Sequence, residues 1–297
     1  MTQPEMEQFK VIIKQDYMKL LDLLAHVLAA DNYLSFGDAD ENERLSIARG
    51  LTDKFVNHAV TLLYLSRGTD QGLISYTFKS KLFDFASIDV LTRVLLEACL
   101  TFHYVFYAPT TKGEKDYRYW AYKAAAIVER RDFPASSEGV KRKIAEEEKE
   151  LDKLIDKLKS NTIFQGLAKG KKAQFLTGKN RDLWRWTPAT RKVLSWREIA
   201  IDAGFSEMMA SKIYRYLSGV AHSGFLSVFL SVETQRSGTQ KDAIINAMSI
   251  TNAVIANMIR EYCGLFPRAQ ELWNTAQQMR ETVNWWIQLD RGLDENL

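Results

Sequence analysis

Three polar side chains in the segment 214–224 have the types and the spacing that proton transfer beside a cation requires. Arg215 and His222 are seven residues apart. Seven residues make about two helical turns, so both side chains lie on one face, about 10 Å apart along the axis. Ser218 lies between them on the same face. Histidine exchanges protons near neutral pH, and arginine offers a fixed pair of donors to phosphate. The helix therefore presents a cation, a hydroxyl and a titratable imidazole in a row.

A second line of charges lies in the most apolar part of the sequence. Asp89, Arg93 and Glu97 follow one another at intervals of four residues, among aliphatic side chains. Charged groups on so apolar a helix must be paired where they are buried. The simplest arrangement packs this line against the helix that carries Ser218 and His222. We therefore expect Arg93 and Glu97 within hydrogen-bonding reach of that helix.

These residues carry a resemblance to a known group of helical proteins. An arginine followed, after four to six residues, by a histidine at a helix end is the mark of the HEPN superfamily, and Arg215-x6-His222 fits its upper length. The longer pattern comprises Arg93-x3-Glu97, the run from Trp196 to Gly204, and Tyr-Arg-x-Leu-Ser-x3-His ending at His222. Over about residues 73–229 the sequence resembles one bacterial family of uncharacterised HEPN-like proteins. It departs at Tyr216, where HEPN nucleases usually carry Asn, Asp or His.

The resemblance implies an all-α, multi-helix HEPN-like bundle with about nine helices. It also implies a metal-independent endoribonuclease or a non-catalytic RNA-binding relative, with a role as a toxin or phage-defence effector by family analogy. Arg215 and His222 would be catalytic, and Ser218, Arg93 and Glu97 would support them. No cofactor and no metal is expected. The expected partners are RNA, a second copy of the chain and a regulatory protein.

Cleavage of RNA by its own 2′-hydroxyl needs a base, an acid and a cation beside the developing charge on phosphorus. One histidine cannot easily make both proton transfers at once. HEPN-like enzymes resolve this with a dimer in which two copies of the motif face one another. We therefore expect a homodimer that brings His222 of both chains toward one cleft.

Two other interpretations remain open for the same residues. His222 could be a core histidine hydrogen-bonded to Glu97, with Arg215 as a buried ion-pair partner, and the protein would then be a non-catalytic helical interaction protein. The run from Trp196 to Ser206 also reads like the first half of a helix-turn-helix, which would place residues 206–215 in the major groove of DNA. Against this, the following helix continues into the apolar run 225–232, whereas a recognition helix keeps its outer face polar.

The segment of about residues 161–192 is strongly basic. Its cations are Lys169, Lys171, Lys172, Lys179, Arg181, Arg185, Arg191 and Lys192, against the single acid Asp182. One interpretation is a mobile RNA-binding lid in which basic side chains meet phosphates and indoles stack on bases. The residues assigned to RNA in that case are Lys171, Lys172, Lys179, Arg181, Trp184 and Arg185. The other is a solvated loop with Trp184 and Trp186 packed in the core. Either way, we expect residues 161–182 to be irregular or mobile.

Long stretches with helical periodicity, interrupted by only 5 prolines and 15 glycines, predict an all-α fold. The predicted helices span about residues 5–30, 41–66, 76–107, 116–131, 138–159, 196–232 with a break near Gly204, 242–265, and from Pro267 to about 289. We predict an N-terminal helical segment, 1–72, packed on an HEPN-like domain, 73–297, with a basic insertion at about 161–192. The motifs G-x-S-x-G, H-E-x-x-H and G-x-G-x-x-G are absent from the sequence, so common hydrolase, zinc-protease and dinucleotide-binding classes have no support.

Composition limits the class of protein further. The sequence is 46% hydrophobic and 26% charged, with a net charge of +3, which is typical of a globular chain and does not by itself indicate nucleic acid. Two distant cysteines exclude a disulfide framework, and four scattered histidines do not predict a zinc cluster. We expect that the polar N-terminus does not act as a signal peptide. The apolar run 90–107 contains Arg93, Glu97 and His103, which a lipid-facing span would not tolerate. We expect a cytoplasmic protein without a membrane segment.

Overall fold

The fold is all-α, as the periodicity predicts. The computed structural model describes residues 3–30, 39–70, 81–131, 134, 136–177, 181–187, 190–222 and 224–295. In those ranges it has thirteen α-helices, two π-helical segments, one 3-10 helix and two pairs of two-residue strands. The expected count of about nine helices is therefore too low. The difference arises because short helices fill the basic segment, and because the runs expected at 196–232 and after Pro267 are divided by breaks.

Contacts divide the chain into two units. The first unit comprises Met1–Phe102 and Ala200–Leu297, and the second comprises His103–Ile199. The expected division at residue 72 coincides with neither boundary, since helices from residues 1–72 pack within the first unit against later helices.

The first unit contains most of the long helices. They are α1 (Gln3–Ala30), α2 (Ala39–Ser66), α3 (Phe85–Phe102), α9 (Tyr214–Ala221), α10 (Phe225–Ser237), α11 (Gln240–Leu265), α12 (Pro267–Thr275) and α13 (Gln277–Glu295), with a π-helical segment at Met208–Ile213 and the antiparallel strands β1 (Thr69–Asp70) and β2 (Lys81–Leu82). The second unit holds α4 (Lys112–Arg131), α5 (Glu138–Ser160), α6 (Thr162–Gln165), α7 (Lys169–Leu176), a π-helical segment at His103–Tyr107, a 3-10 helix at Arg181–Arg185, and the antiparallel strands β3 (Trp186–Thr187) and β4 (Lys192–Val193). Helix α8 (Trp196–Asp202) includes the boundary at residues 199 and 200.

Helix α11 is the centre of the first unit. It packs against α1, α3, α12 and α13, and its side chains are buried almost without interruption from residue 251 to 259. Two of its buried polar side chains contact other helices: the Asn252 amide donates to the Ile13 carbonyl oxygen, and the Thr251 and Thr92 hydroxyls lie 3.3 Å apart. By length and composition alone α11 could cross a bilayer, but 72% of its most apolar window is buried inside the protein, as in the core helix of a soluble domain.

Helix α3, which carries the charged line, begins later than the periodicity predicts. The expected start at residue 76 lies outside the described residues, and residues 81–82 form β2. The Asp84 carboxylate accepts hydrogen bonds from the Ser87 amide and hydroxyl. This satisfies an otherwise unpaired amide of the first turn, so Asp84 sets the start of the helix.

The second unit has its own hydrophobic core. Helices α4 and α5 pack together, and α5 contributes Leu151, Leu154 and Leu158 from its thin apolar stripe. The Ser137 hydroxyl caps α5 by accepting from the Val140 amide. The irregular chain that follows α5 adds Phe164, Leu167, Phe175, Leu183 and Trp186 to the same core.

The run from Trp196 to Ser237 is broken at two places. After α8, Gly204 adopts a φ of +84°, a left-handed conformation that favours glycine. After α9, His222 leaves helical geometry, with φ −100° and ψ 15°. The Gly224 amide then donates to the Gly219 carbonyl oxygen at 2.9 Å, and a Cβ on Gly224 would lie 3.2 Å from that oxygen. The small residue therefore allows the tight turn that begins α10.

Candidate functional site

Hydrogen bonds from tyrosines join α9 to the charged line of α3. The Tyr214 hydroxyl donates to Glu97 Oε1 at 2.9 Å, and the Tyr216 hydroxyl donates to Asp89 Oδ2 at 2.7 Å. On α3 itself, Arg93 Nε donates to Glu97 Oε1 at 3.0 Å. The prediction that Arg93 and Glu97 lie within reach of the helix carrying His222 is therefore confirmed, and the charges on this apolar helix have the partners that burial requires.

Arg93 is held as a cation at the centre of this arrangement. Its guanidinium carbon lies 5.8 Å from the centroid of the Tyr214 ring. Burial lowers the pKa of Arg93, but the charge and hydrogen bond of Glu97 outweigh it, so the pKa is raised above its ordinary value. Arg93 is thus positive in this site at neutral pH.

His222 lies at the end of α9 with its imidazole exposed. Arg93 Nη1 is 3.4 Å from His222 Nε2. Because a guanidinium only donates, Nε2 is the acceptor of any hydrogen bond between these two groups. The alternative of a core histidine bonded to Glu97 does not match this geometry, since the ring is exposed and its contact is Arg93.

Arg215 lies elsewhere on α9. Its exposed side chain lines a cavity of about 280 Å³ together with Lys212, Tyr216 and Gly224, and His222 is not part of that lining. Within the described ranges Arg215 has no hydrogen bond and no ion pair. The cation that contacts the imidazole is therefore Arg93 rather than Arg215. Helix α9 ends at Ala221, and His222 follows as its capping residue, with its amide still donating to the Ser218 carbonyl oxygen.

Asp89 is the buried acid of the group, only 4% exposed. Burial raises its pKa to about 6, against the opposing effect of the Tyr216 hydroxyl that donates to it. The pKa of Tyr216 is also raised, first by burial and second by the charge of Asp89. The sequence pattern predicts Asp89 as part of the charged line but no role for Tyr214 or Tyr216. The two tyrosines flank Arg215, and their hydroxyls could have been predicted as hydrogen-bond donors to the carboxylates of α3.

The basic segment belongs to the second unit and has defined structure where it is described. Lys171 Nζ donates to the Arg191 carbonyl oxygen at 3.2 Å, and Lys172 Nζ donates to the Gln165 carbonyl oxygen at 2.8 Å. Two more of the residues assigned to RNA, Lys179 and the side chain of Arg181, lie outside the described residues. Lys171 and Lys172 are partly exposed, so they remain candidates for phosphate contacts.

Trp184 and Arg185 are not placed as an RNA-binding surface requires, and their assignment needs correction. The Trp184 ring packs edge-on against Tyr104, Tyr122 and Trp196, with centroids 5.2 to 6.1 Å apart. Arg185 is 7% exposed, donates to the Leu194 carbonyl oxygen at 2.8 Å, and has its guanidinium carbon 4.7 Å from the Trp196 ring centroid. Both side chains hold the second unit together, as in the interpretation with tryptophans in the core.

The helix-turn-helix interpretation meets an electrostatic obstacle. The Ser206 amide and hydroxyl both donate to Asp290, at 2.9 and 2.7 Å. The amides of Glu207 and Met208 donate to Asp294 at 2.7 and 3.1 Å. Two carboxylates of α13 thus cover the start of the would-be recognition helix, where a DNA phosphate would need positive charge.

The sequence matches one family description. Residues 79–239, just over half of the chain, match the family of unknown function DUF5677, and the chain belongs to this family. The matched range includes α3, α9 and both ends of the hydrogen-bonded arrangement between them. No curated protein matches the chain, and no solved structure matches it. Within the described residues, no group of three or more His, Cys, Asp or Glu side chains could hold a metal ion.

Proposed function

We propose that this protein is an HEPN-like, metal-independent endoribonuclease whose acid–base residue is His222. The observation that supports this most directly is the exposed imidazole at the end of α9, 3.4 Å from the fixed cation of Arg93. Glu97 and Tyr214 hold that arginine in place. A proton carrier beside a positioned guanidinium is the combination that phosphodiester cleavage uses.

The proposed reaction uses the substrate's own nucleophile. His222 takes the proton of a ribose 2′-hydroxyl while that oxygen attacks the adjacent phosphorus. The bond from phosphorus to the 5′-oxygen breaks, and the departing oxygen receives a proton from an acid. The products are a 2′,3′-cyclic phosphate and a 5′-hydroxyl end. Arg93, with Arg215 at the neighbouring cavity, would stabilise the negative charge on the phosphoryl oxygens.

We also propose that the active form is a homodimer that pairs through α10. Phe225, Val228, Phe229 and Val232 are exposed by 85, 53, 48 and 41%. Their spacing of three, four and seven residues puts them on one face of the helix. Together they expose roughly 400 Å² of apolar surface, about half of what one partner contributes to a standard interface. A single-helix stripe is self-complementary about a two-fold axis, which favours a second copy of the chain over other occupants.

The activity test uses the purified full chain, a short single-stranded RNA and EDTA. We expect cleavage that leaves 2′,3′-cyclic phosphate ends, and a fall of roughly 10²-fold or more in rate for His222→Ala. His26→Ala is the matched control, because His26 is an exposed histidine on α1, and it should cleave at the wild-type rate. Equal rates for the wild type and His222→Ala, or no cleavage of single-stranded RNA by the wild type, would refute the proposal.

The dimer is tested by light scattering on a gel-filtration column. The wild type should have about twice the mass of one chain, and Phe225→Ser should be monomeric. Tyr64→Ser, which removes a ring that is 63% exposed on α2, should remain dimeric. A monomeric wild type at micromolar concentrations rules the pairing out.

The biological setting proposed here is that of a cytoplasmic toxin or defence effector restrained by a protein partner. Its cellular test is growth after induced expression. Wild-type protein should arrest growth, and His222→Ala should not. A non-catalytic interaction protein, the second candidate, would act equally well with either residue at position 222. The observation that favours that candidate is the apolar α10 stripe, which could bind a partner without any chemistry at His222.

A further inference from the structure

The first unit contains a second cavity, away from the residues proposed for RNA cleavage. It has a volume of about 350 Å³ and lies between α1, the end of α2, Phe83 and the start of α11. Its apolar lining includes Met18, Phe83 and Met248, and its basic lining consists of Lys14, Arg67 and Lys241. No carboxylate occurs among the described residues that line it. Cavities of this size and apolar character commonly hold small molecules.

The positive charge of the cavity is only partly cancelled by its neighbours. Glu7 and Asp242 lie beside it, but Lys10 Nζ pairs with both, at 2.8 and 2.7 Å. Within the described chain, Lys14 and Lys241 have no ion pair with an acid. Two carboxylates against one ammonium leave one negative charge beside the three cations of the lining, so the cavity keeps a net positive charge.

Lys241 and Phe83 form the part of the cavity that best indicates the kind of ligand. The Lys241 ammonium lies 5.2 Å from the centroid of the Phe83 ring. A ligand whose apolar body contacts this ring also brings an attached anion toward the ammonium. The volume equals that of about a dozen water molecules, which fits a molecule of some ten to fifteen heavy atoms.

We propose that this cavity binds a small anionic amphiphile, a phosphate or carboxylate attached to an aromatic or aliphatic body. The body would lie on Met18, Phe83 and Met248, and the anion would meet Lys14 and Lys241. Burial of the body supplies most of the affinity, and the two cations select against neutral and zwitterionic molecules. The inference does not depend on RNA cleavage.

Isothermal titration calorimetry with three probes tests the two halves of the ligand separately. The probes are 2-naphthyl phosphate, 2-naphthol, which lacks the anion, and inorganic phosphate, which lacks the apolar body. We expect the first to bind at least tenfold more tightly than either of the others, and to weaken as salt rises. Equal affinity for 2-naphthol and 2-naphthyl phosphate, or no binding of 2-naphthyl phosphate, overturns the proposal.

Substitutions then place the binding in this cavity. Lys14→Gln and Lys241→Gln should each weaken 2-naphthyl phosphate about five- to tenfold, and Met18→Trp should block it by filling the space. All three side chains are exposed, so these variants should fold. Lys54→Gln, on α2 and outside the lining, is the matched control for loss of one positive charge and should bind as the wild type does. Unchanged binding by Met18→Trp would put the ligand elsewhere and refute the assignment.

Discussion

Asp89 is the carboxyl group of the α3–α9 contact whose pKa is shifted. The effect of Asp89→Asn on the free energy of unfolding should therefore depend on pH. Burial raises the pKa of Asp89 from an ordinary value of 3.8 to about 6 in the folded protein. Below about pH 3 the carboxyl is protonated in both the folded and the unfolded chain. As pH rises from there the unfolded chain loses the proton first, so folding becomes less favourable, and the loss is complete above about pH 7.

The size of the effect follows from the difference between the two pKa values. Each pKa unit corresponds to about 1.4 kcal/mol, so ionisation of Asp89 costs the folded protein about 3 kcal/mol in full, of which about 2.5 kcal/mol falls between pH 4 and pH 8. The asparagine of the variant carries no charge at either pH, and its carbonyl oxygen can still accept from the Tyr216 hydroxyl. Between pH 4 and pH 8, the free energy of unfolding of the variant should therefore rise by about 2.5 kcal/mol relative to that of the wild type.

Urea unfolding, followed by tryptophan fluorescence at pH 4, 5, 6, 7 and 8, measures this difference. Subtracting the two free energies of unfolding at each pH cancels the titration of groups far from Asp89. Tyr216→Phe should move the midpoint to higher pH, because the hydroxyl that lowers the Asp89 pKa is lost. Tyr214→Phe is the matched control, because that hydroxyl donates to Glu97 instead. A difference that stays constant with pH would refute the reasoning.

Two further substitutions test contacts that stabilise the first unit. Gly204→Ala should destabilise the protein by about 1–2 kcal/mol in thermal unfolding, because the backbone is left-handed there and the new Cβ would lie 2.7 Å from Arg291 Nη2. Trp286→Phe should cost about 2–4 kcal/mol in urea unfolding, because its indole donates to Asp16 at 3.1 Å in the buried contact between α13 and α1.

Each of these has a neighbour that serves as control. Gly50→Ala, in α2 with nothing within 4 Å of the added Cβ, should be neutral or stabilising. Trp285→Phe, at a position that is 40% exposed, should cost less than about 1 kcal/mol. If Gly50→Ala and Gly204→Ala have the same effect, the left-handed backbone is not what requires glycine. If Trp285→Phe costs as much as Trp286→Phe, the bond to Asp16 is not the cause.

Periodicity and the rule that buried charges need partners predicted the helices and the contact between α3 and α9. Asp89, Arg93 and Glu97 lie on an otherwise apolar helix, and that alone required polar partners opposite them. The rule does not say which partners will serve. It favoured the serine and histidine of α9, whereas the structure uses phenols from Tyr214 and Tyr216 for the carboxylates. A tyrosine side chain is long enough for its hydroxyl to reach a carboxylate on the neighbouring helix, and helical spacing alone does not predict this.

Whether a given side chain is buried or exposed depends on which other elements pack over it, and a single sequence does not contain that information. Arg185 and Trp184 lie in a run of cations that is typical of an RNA-binding loop. A guanidinium can nevertheless be buried where an indole packs on it and a carbonyl oxygen accepts its hydrogen bond. Arg185 is buried in this way. The α10 stripe is the converse case. Its apolar residues from Phe225 to Val232 read as core, yet four of them are exposed in the single chain.

The single histidine of each site leads to a test of the dimer that uses activity alone. An imidazole that takes the 2′-hydroxyl proton as the base cannot protonate the departing oxygen in the same step. The acid must then be a different group, and two-fold pairing would supply it as the second His222. Wild-type and His222→Ala chains, unfolded together in equal amounts and refolded, form about one quarter wild-type pairs if they pair at random. If cleavage requires both histidines, the rate should fall to about a quarter of that of the same total protein, whereas independent sites predict about half. A rate of one half would show that each chain works alone, and the acid would have to be sought within one copy.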